Sequence, residues 1–106
     1  MRRGEVWWAR MPKPVGRRPV VLVSCDEAYA LRALVCIVPV TTRPRDIPVE
    51  VPLGSAEGLP RQGVANADLV TTIPKAALTD YAGVLGPAKL TALDDALRYA
   101  LGITVG

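Results

Sequence analysis

The stretch GRRPVVLVS, residues 16–24, decides the fold because it joins a strand-opening proline to an unbroken apolar run. Proline cannot donate to a β-ladder, yet it is tolerated at the first residue of a strand, where Pro19 stands. Val20–Val23 consists of β-branched residues and leucine without a polar interruption, which is typical of a strand buried on both faces. The stretch therefore predicts such a strand, with Arg18 at its leading end.

Working outward, five more segments are rich in β-formers and predict strands. Pro39 lies inside one of them and indicates an edge position or a β-bulge there. Gly54–Gly63 predicts a loop, with one helical turn near Ser55–Gly58. The five predicted strands are Gly4–Ala9, Ala33–Thr41, Ile47–Leu53, Val64–Ile73 and Tyr81–Leu85.

Three segments favour helix. Pro87–Leu101 has leucines at three- and four-residue spacing, begins with proline and is followed by Gly102, so it predicts the longest helix. Ser24–Arg32 predicts a turn or short helix, and Pro74–Thr79 predicts a short helix that begins at proline. Many short strands before one long helix predict a mainly β fold with α, a small curled β-barrel or half-barrel with the last helix packed against it.

Composition fits a single domain over residues 1–106, because half of the 106 residues are hydrophobic and only 22% are charged. The net charge is +3, and ten of the 13 basic residues are arginine, most of them in the first half of the chain. The planar fork of arginine suits phosphate oxygens, so this distribution is compatible with a nucleic-acid partner. A solvated basic face explains the charge equally well.

Histidine is absent. Its absence excludes a His-based acid–base pair, Ser-His and Cys-His triads, and histidine metal ligands. Cys25 and Cys36 lie in apolar runs without CxxC spacing, so we expect small buried side chains in a reducing cytosol rather than a disulfide or a metal site. No apolar segment resembles a signal peptide or a membrane span. We expect a cytoplasmic protein without a metal or other cofactor.

Several segments in a fixed order resemble one family. They are RGEVWWA (residues 3–9), GRRPVVLVS (16–24), VPVTT (38–42), VANADLVTTIPKAALTDYAGVLGP (64–87) and ALGI (100–103). Each segment alone is a weak pattern. Their order, spacing and coverage of nearly the whole chain resemble the MazF/PemK toxin family.

The resemblance implies an SH3-like barrel, shared with the gyrase-poisoning toxin CcdB, and a homodimer that binds RNA across its interface. It implies an endoribonuclease toxin of a type II toxin–antitoxin system, which cuts single-stranded RNA at short motifs without metal. It also implies neutralisation by the acidic tail of a MazE-like antitoxin, which we expect to be encoded beside this chain. Carried over by position, the catalytic residues are Arg18 of the Arg-Pro pair and Thr41 at the end of the next long strand.

The implied reaction needs no metal, because the RNA 2′-OH attacks the adjacent phosphorus and leaves a 2′,3′-cyclic phosphate and a 5′-OH. Preorganised donors aimed at the developing charge are commonly the largest catalytic contribution. Arg18 can hold two non-bridging oxygens, and the stiff β-branched Thr41 can hold one hydroxyl donor in place. Without the resemblance, a surface arginine beside proline and an ordinary strand-end threonine would be the default interpretations.

The loop before Arg18 departs from the family pattern. Many members carry a longer loop of the Gly-Ser-Glu-Gln type, whose glutamate is a candidate base, whereas Met11–Arg17 contains no acid. Glu5 and Asp68 are then alternative bases, and the third alternative is that Arg18 and a water share the work. Because loops carry specificity, the short loop should also change which RNA sequence is bound.

Five further residues are candidate RNA contacts: Arg17, Thr42, Arg43, Asn66 and Asp68. Arginine and threonine suit phosphate, asparagine can pair with a base edge, and aspartate can accept from an exocyclic amine. Solvated charges and hydrogen bonds at turns or strand ends explain these residues about as well. Trp7 and Trp8 should point to opposite faces of one strand, one in the core and the other at a dimer interface or under an RNA base.

Two other functions remain open on the sequence. One is a gyrase poison of the CcdB type, which has the same fold and a protein target. The other is a non-catalytic SH3-like module that binds peptide or RNA. The Arg-Pro and Val-Thr pairs favour RNA cleavage over the gyrase poison, and Arg18→Ala would distinguish an enzyme from the binding module.

Overall fold

The computed structural model describes residues 1–104, which form seven strands and two helices joined by short turns. The strands are β1 (Glu5–Arg10), β2 (Arg17–Leu22), β3 (Leu34–Thr41), β4 (Glu50–Leu53), β5 (Gly63–Asn66), β6 (Thr71–Pro74) and β7 (Leu78–Val84). The helices are α1 (Ala28–Leu31) and α2 (Pro87–Leu101), and three 3₁₀ turns span Ser55–Glu57, Ala67–Leu69 and Lys75–Ala77.

All strand pairs are antiparallel, in the order β4-β5-β3-β2-β1-β7. Along the edge of β3 away from β2, residues Leu34–Ile37 pair with β6 and residues Val40–Thr41 pair with β5. This change of partner lets the sheet curl. The predicted curled β-sheet with one long C-terminal helix is confirmed.

The pairing of β2 with β3 forms the centre of the sheet. Val20, Val21 and Leu22 are completely buried, so the prediction of a strand buried on both faces is confirmed. Val21 belongs to an apolar cluster on one face, and Val20 and Leu22 belong to a second cluster on the other. Each of these side chains stabilises the fold by about 1.5–3 kcal/mol relative to exposure.

Helix α2 covers the first of these two clusters. Leu93 and Ala96 are buried in it, and Leu90 and Leu97 pack at its margin. The helix has the predicted bounds, because Pro87 stands at its first position and Gly102 ends it with a φ of 68°. α2 has 15 residues, and no helix of residues 1–104 is long and apolar enough to cross a membrane.

Three local predictions are wrong. Pro74–Thr79 is not a helix: Lys75–Ala77 makes a single 3₁₀ turn, and β7, which then pairs with β1, begins at Leu78. The single strand predicted over Val64–Ile73 is divided by the Ala67–Leu69 turn. The strand predicted from Ile47 begins at Glu50. In each case pairing between distant strands, rather than local composition, sets the boundary.

Two predictions about single residues also fail. Both Cys25 and Cys36 are exposed rather than buried. Cys36 lies in the first half of β3, where buried and exposed residues alternate, and it is one of the exposed residues. Cys25 lies beyond the end of β2. Pro39 is not at a sheet edge: β3 is interior, and Pro39 pairs with Val20. On the opposite edge Pro39 falls between the β6 and β5 ladders, where no partner strand requires its missing N–H.

Two glycines allow the Ser55–Glu57 turn to lie directly on β7. A Cβ on Gly83 would stand 2.3 Å from the carbonyl oxygen of Glu57, and a Cβ on Gly58 would stand 1.9 Å from that of Ala82. Gly58 also has a φ of 83°, which disfavours any other residue. This close approach fixes the position of the loop that follows, Leu59–Arg61.

We predict that Gly83→Ala lowers the free energy of unfolding by about 1–3 kcal/mol, because the added methyl meets backbone that has little room to move. Urea denaturation of both proteins measures the change. Gly86→Ala is the matched control, since nothing lies within 4 Å of a Cβ there. Wild-type stability in the Gly83 variant would show that the turn does not press on β7.

Candidate active site

Arg18 and Thr41 lie at adjacent ends of the two central strands. The β2–β3 ladder ends with the pair Val20 and Pro39, and beyond it Val40 and Thr41 pair with β5 instead. Arg18 stands two residues before Val20 on β2, and Thr41 stands two residues after Pro39 on β3. Both side chains are half-buried. The structure therefore places the two residues singled out as catalytic from the sequence at the same end of the central strand pair.

The hydroxyl of Thr41 is held by the turn that follows β3. Its Oγ1 accepts a hydrogen bond from the backbone N–H of Arg43 at 3.2 Å. Because the oxygen accepts there, the hydroxyl proton stays available for a further acceptor. Behind it, β5 approaches so closely that a Cβ on Gly63 would stand 2.6 Å from the carbonyl oxygen of Thr41. The end of β3 is thus fixed from two sides.

A cleft of about 280 Å³ opens beside these strand ends. Its apolar lining comes from the middle of the sheet, and the 59–61 loop closes its far side. Three of its residues are arginines, which makes the cleft basic. It is lined by Trp8, Arg17, Arg18, Pro19, Val40, Thr42, Leu59, Pro60, Arg61 and Gly63. Thr41 lies between two lining residues but does not itself line the cleft.

Arg17, Trp8 and Asp80 form a linked group at one side of the cleft. The guanidinium carbon of Arg17 lies 4.3 Å from the centroid of the Trp8 ring. Nη2 of Arg17 donates to Oδ2 of Asp80 at 3.0 Å. These contacts follow from the sheet, since Trp8 pairs with Asp80 on β7 and with Pro19 on β2. Arg17 is therefore held over the indole.

The pair of Arg17 and Asp80 orients side chains more than it stabilises the fold. Their side chains are 56% and 61% exposed, and exposed ion pairs contribute little to stability. The hydrogen bond from Arg17 holds the pKa of Asp80 below its usual value of 3.8. Asp80 was not identified from the sequence, and no local pattern could have indicated it, because 63 residues separate it from Arg17.

The other residues predicted to contact RNA differ in whether they lie at the cleft. Thr42 lines the cleft, and exposed Arg43 follows it. Asn66, by contrast, is buried, and its Oδ1 accepts from the backbone N–H of Asp68 at 2.9 Å, which is the turn hydrogen bond considered as its alternative. Asp68 is exposed outside the cleft lining. Arg61 lines the cleft but was not identified from the sequence.

Trp7 and Trp8 point to opposite faces of β1, as predicted. Trp7 packs against the second apolar cluster, and its ring meets that of Tyr81 edge-on at 5.9 Å. Trp8 lines the cleft. Both side chains are half-buried, and Trp8 is the one that lines the cleft.

Neither acid considered as a base lines the cleft that Arg18 lines. Ala9 pairs with Arg18, and Glu5 lies four residues along β1 from Ala9, about 13 Å at about 3.3 Å per residue. The Oε1 atom of Glu5 accepts from the backbone N–H of Arg2 and from Nε1 of Trp7. Within residues 1–104 no group of three or more His, Cys, Asp or Glu side chains is arranged to hold a metal ion.

Comparison with known proteins finds relatives among toxins of the MazF type. A family model described as PemK-like, MazF-like toxin of type II toxin–antitoxin system matches residues 2–101. Probable endoribonuclease MazF5 of Mycobacterium tuberculosis is 36% identical over 100 residues, covering 93% of this chain and 91% of that protein. Endoribonuclease MazF4 of the same species is 36% identical over 101 residues, covering 95% and 92%.

Solved structures agree in fold. The Mycobacterium tuberculosis toxin MazF-mt6 superposes with a TM-score of 0.88 at 26% identity, covering 95% of this chain and 99% of that one. A mycobacterial endoribonuclease in complex with its cognate antitoxin superposes with a TM-score of 0.85 at 32% identity, covering 100% and 99%. The predicted fold class, a MazF-like small barrel with a C-terminal helix, is confirmed.

We predict that Arg17→Ala raises the pKa of Asp80 towards 3.8, because the variant removes the largest cause of its lowering. NMR titration of the carboxyl carbon measures this. Since the pKa is lower in the folded chain, the pair stabilises the fold above the unfolded pKa, and that contribution is lost as pH falls through the folded pKa.

Arg98→Ala is the control for this titration, because it breaks a similar surface pair, Arg98 with Asp95, on α2. It should leave the pKa of Asp80 unchanged. An ordinary pKa for Asp80 in the wild-type protein would mean that the pair does not form in solution.

Proposed function

Because the chain belongs to the family of PemK-like, MazF-like toxins of type II toxin–antitoxin systems, we propose that it cuts single-stranded RNA in the cleft beside Arg18. It is a sequence-specific endoribonuclease that inhibits translation and growth. The observation that carries the proposal is Arg18, which lines a basic cleft without an ionic partner among residues 1–104, at the end of the strand pair where Thr41 ends β3. Relatives named endoribonuclease at 36% identity support the same activity.

Arg18 clamps the scissile phosphate. It makes no ion pair and no side-chain hydrogen bond within the described chain, so its whole fork is free for non-bridging oxygens. Its half-buried position reduces solvent screening of the guanidinium, which strengthens its attraction for the dianionic phosphorus. Arginine stays protonated in proteins, so charge stabilisation is its main role rather than proton donation.

Thr41 supplies one oriented hydrogen bond to the same phosphate. Its hydroxyl oxygen already accepts from Arg43, which leaves the proton to a phosphate oxygen. The nucleophile is then the 2′-OH of the RNA itself, so the attack needs no water or metal-bound hydroxide. Because neither Glu5 nor Asp68 lines the cleft, the proposal takes the alternative in which Arg18 and a water share the work. The water carries the proton from the 2′-OH to the leaving 5′ oxygen, while Arg18 stays protonated and stabilises the charge.

We predict that Arg18→Ala abolishes RNA cleavage and that Thr41→Val slows it about 100- to 1000-fold, the usual cost of one oxyanion donor. Short RNAs incubated in EDTA should yield 2′,3′-cyclic phosphate and 5′-OH ends with the wild-type protein. Arg98→Ala, far from the cleft, should cut at the wild-type rate.

Circular dichroism must show that each variant is folded. Wild-type cleavage by the folded Arg18 variant would reject the assigned site. Intact RNA with the wild-type protein, together with trapped gyrase, would instead identify a CcdB-like poison.

We further propose that the protein acts in the cytoplasm as a homodimer neutralised by a MazE-like acidic antitoxin. The net charge of +3 suits an acidic partner, and a mycobacterial relative has been solved with its cognate antitoxin. Several large apolar side chains are exposed on the single chain, and a second copy could cover some of them. They include Leu31, Leu34, Tyr99, Leu101 and Ile103.

Light scattering should give twice the 11.3 kDa of one chain. The small acidic protein encoded beside this chain, added in equal amount, should block RNA cleavage because it covers the basic cleft. A monomer with full cleavage activity would reject the dimer, and cleavage unaffected by every acidic neighbour would reject the antitoxin.

A further inference from the structure

Arg17 and Arg18, which both line the cleft, differ in their interactions with other side chains. Arg18 has no ionic partner among residues 1–104, whereas Arg17 is paired with Asp80 at 3.0 Å and stacked on Trp8 at 4.3 Å. The carboxylate neutralises much of the charge of Arg17, which makes it a poor ligand for a phosphate. Its remaining N–H groups still donate hydrogen bonds. Arg17 is thus suited to an uncharged acceptor.

The orientation of Arg17 suits a flat acceptor in particular. The guanidinium carbon of Arg17 lies over the indole face, 4.3 Å from the ring centroid. A nucleobase bound edge-on to that guanidinium would lie beside it, over the remaining face of Trp8. Stacking on an aromatic ring and hydrogen bonding to a base edge then act together, as is common in recognition of single-stranded RNA.

We propose that Trp8, Arg17 and Asp80 form a base-reading element that selects a guanine beside the scissile phosphate. Guanine presents two adjacent acceptors, N7 and O6, which match two parallel N–H donors of one arginine. Adenine places an amino group where O6 would be and turns a donor towards the guanidinium. Asp80 is a positioning residue here, because it limits the orientations of the exposed Arg17 side chain.

The inference rests on the proposed ribonuclease function, and the test separates the two. The probe is a set of short RNAs that carry guanine, 7-deazaguanine or adenine at each position around the mapped cut. With the wild-type protein, either replacement at one fixed position should slow cleavage about 10- to 100-fold. 7-Deazaguanine removes only the N7 acceptor, so its effect reports the proposed contact directly.

Arg17→Lys keeps the charge but loses the fork, so the rates for guanine and 7-deazaguanine should become equal within about twofold. Asp80→Asn should reduce the preference for guanine but keep the cleavage of the adenine RNA. Arg98→Lys, in a similar surface pair on α2, should keep the wild-type preference. Cleavage of the adenine RNA by each variant shows that the catalytic residues still work.

Three outcomes would overturn the inference: a cut motif without guanine, equal cleavage of guanine and 7-deazaguanine RNA by the wild-type protein, or an unchanged preference in folded Arg17→Lys. Absence of RNA cleavage by the wild-type protein would instead reject the proposed function itself.

Discussion

The antiparallel register between β2 and β3 is the constraint on which the rest of the structure depends. Val20, Val21 and Leu22 are buried on both faces of the sheet, so a slip of one residue would exchange the side chains of the two apolar clusters. Packing of α2 on one face and of Tyr29 on the other makes such a slip costly. The same ladder ends at Val20 and Pro39, two residues from Arg18 and Thr41, so the core places both residues at one end of the central strands.

The two arginines at the start of β2 illustrate how adjacent strand residues take different roles. Arg17 is engaged by Trp8 and Asp80, which come from β1 and β7, while Arg18 keeps its donors free. The dipeptide Arg17-Arg18 thus supplies one guanidinium that is paired with a carboxylate and one that is unpaired. A base-reading contact requires the first, and a phosphate clamp requires the second.

How well the sequence predicted an element depended on whether residues within that element or pairing with distant strands set its structure. The bounds of α2 follow from Pro87 and Gly102, which act within the helix itself, and the burial of β2 follows from its own composition. Pro74 gave the same local signal for a helix start, but pairing of β7 with β1 took precedence over it. The exposure of Cys36 depends on which half of β3 is covered by other elements, and no local pattern reports that.

For the candidate site, Arg18 and Thr41 came from a resemblance to a family, and composition alone would have left both as ordinary surface residues. Asp80 and Arg61 were missed because strand pairing and the close approach of the 55–58 turn to β7 bring them to the cleft region from far along the chain. Asn66 was chosen for its side-chain chemistry, yet it is buried in a turn, where that chemistry serves the fold.

A crystal structure with an RNA made uncleavable by a 2′-deoxy sugar at the cut would test the central claim most directly. The account predicts that the scissile phosphate lies within about 2.7–3.1 Å of both the Arg18 guanidinium and the Thr41 hydroxyl. An RNA bound on another face, with that phosphate out of reach of both side chains, would contradict it.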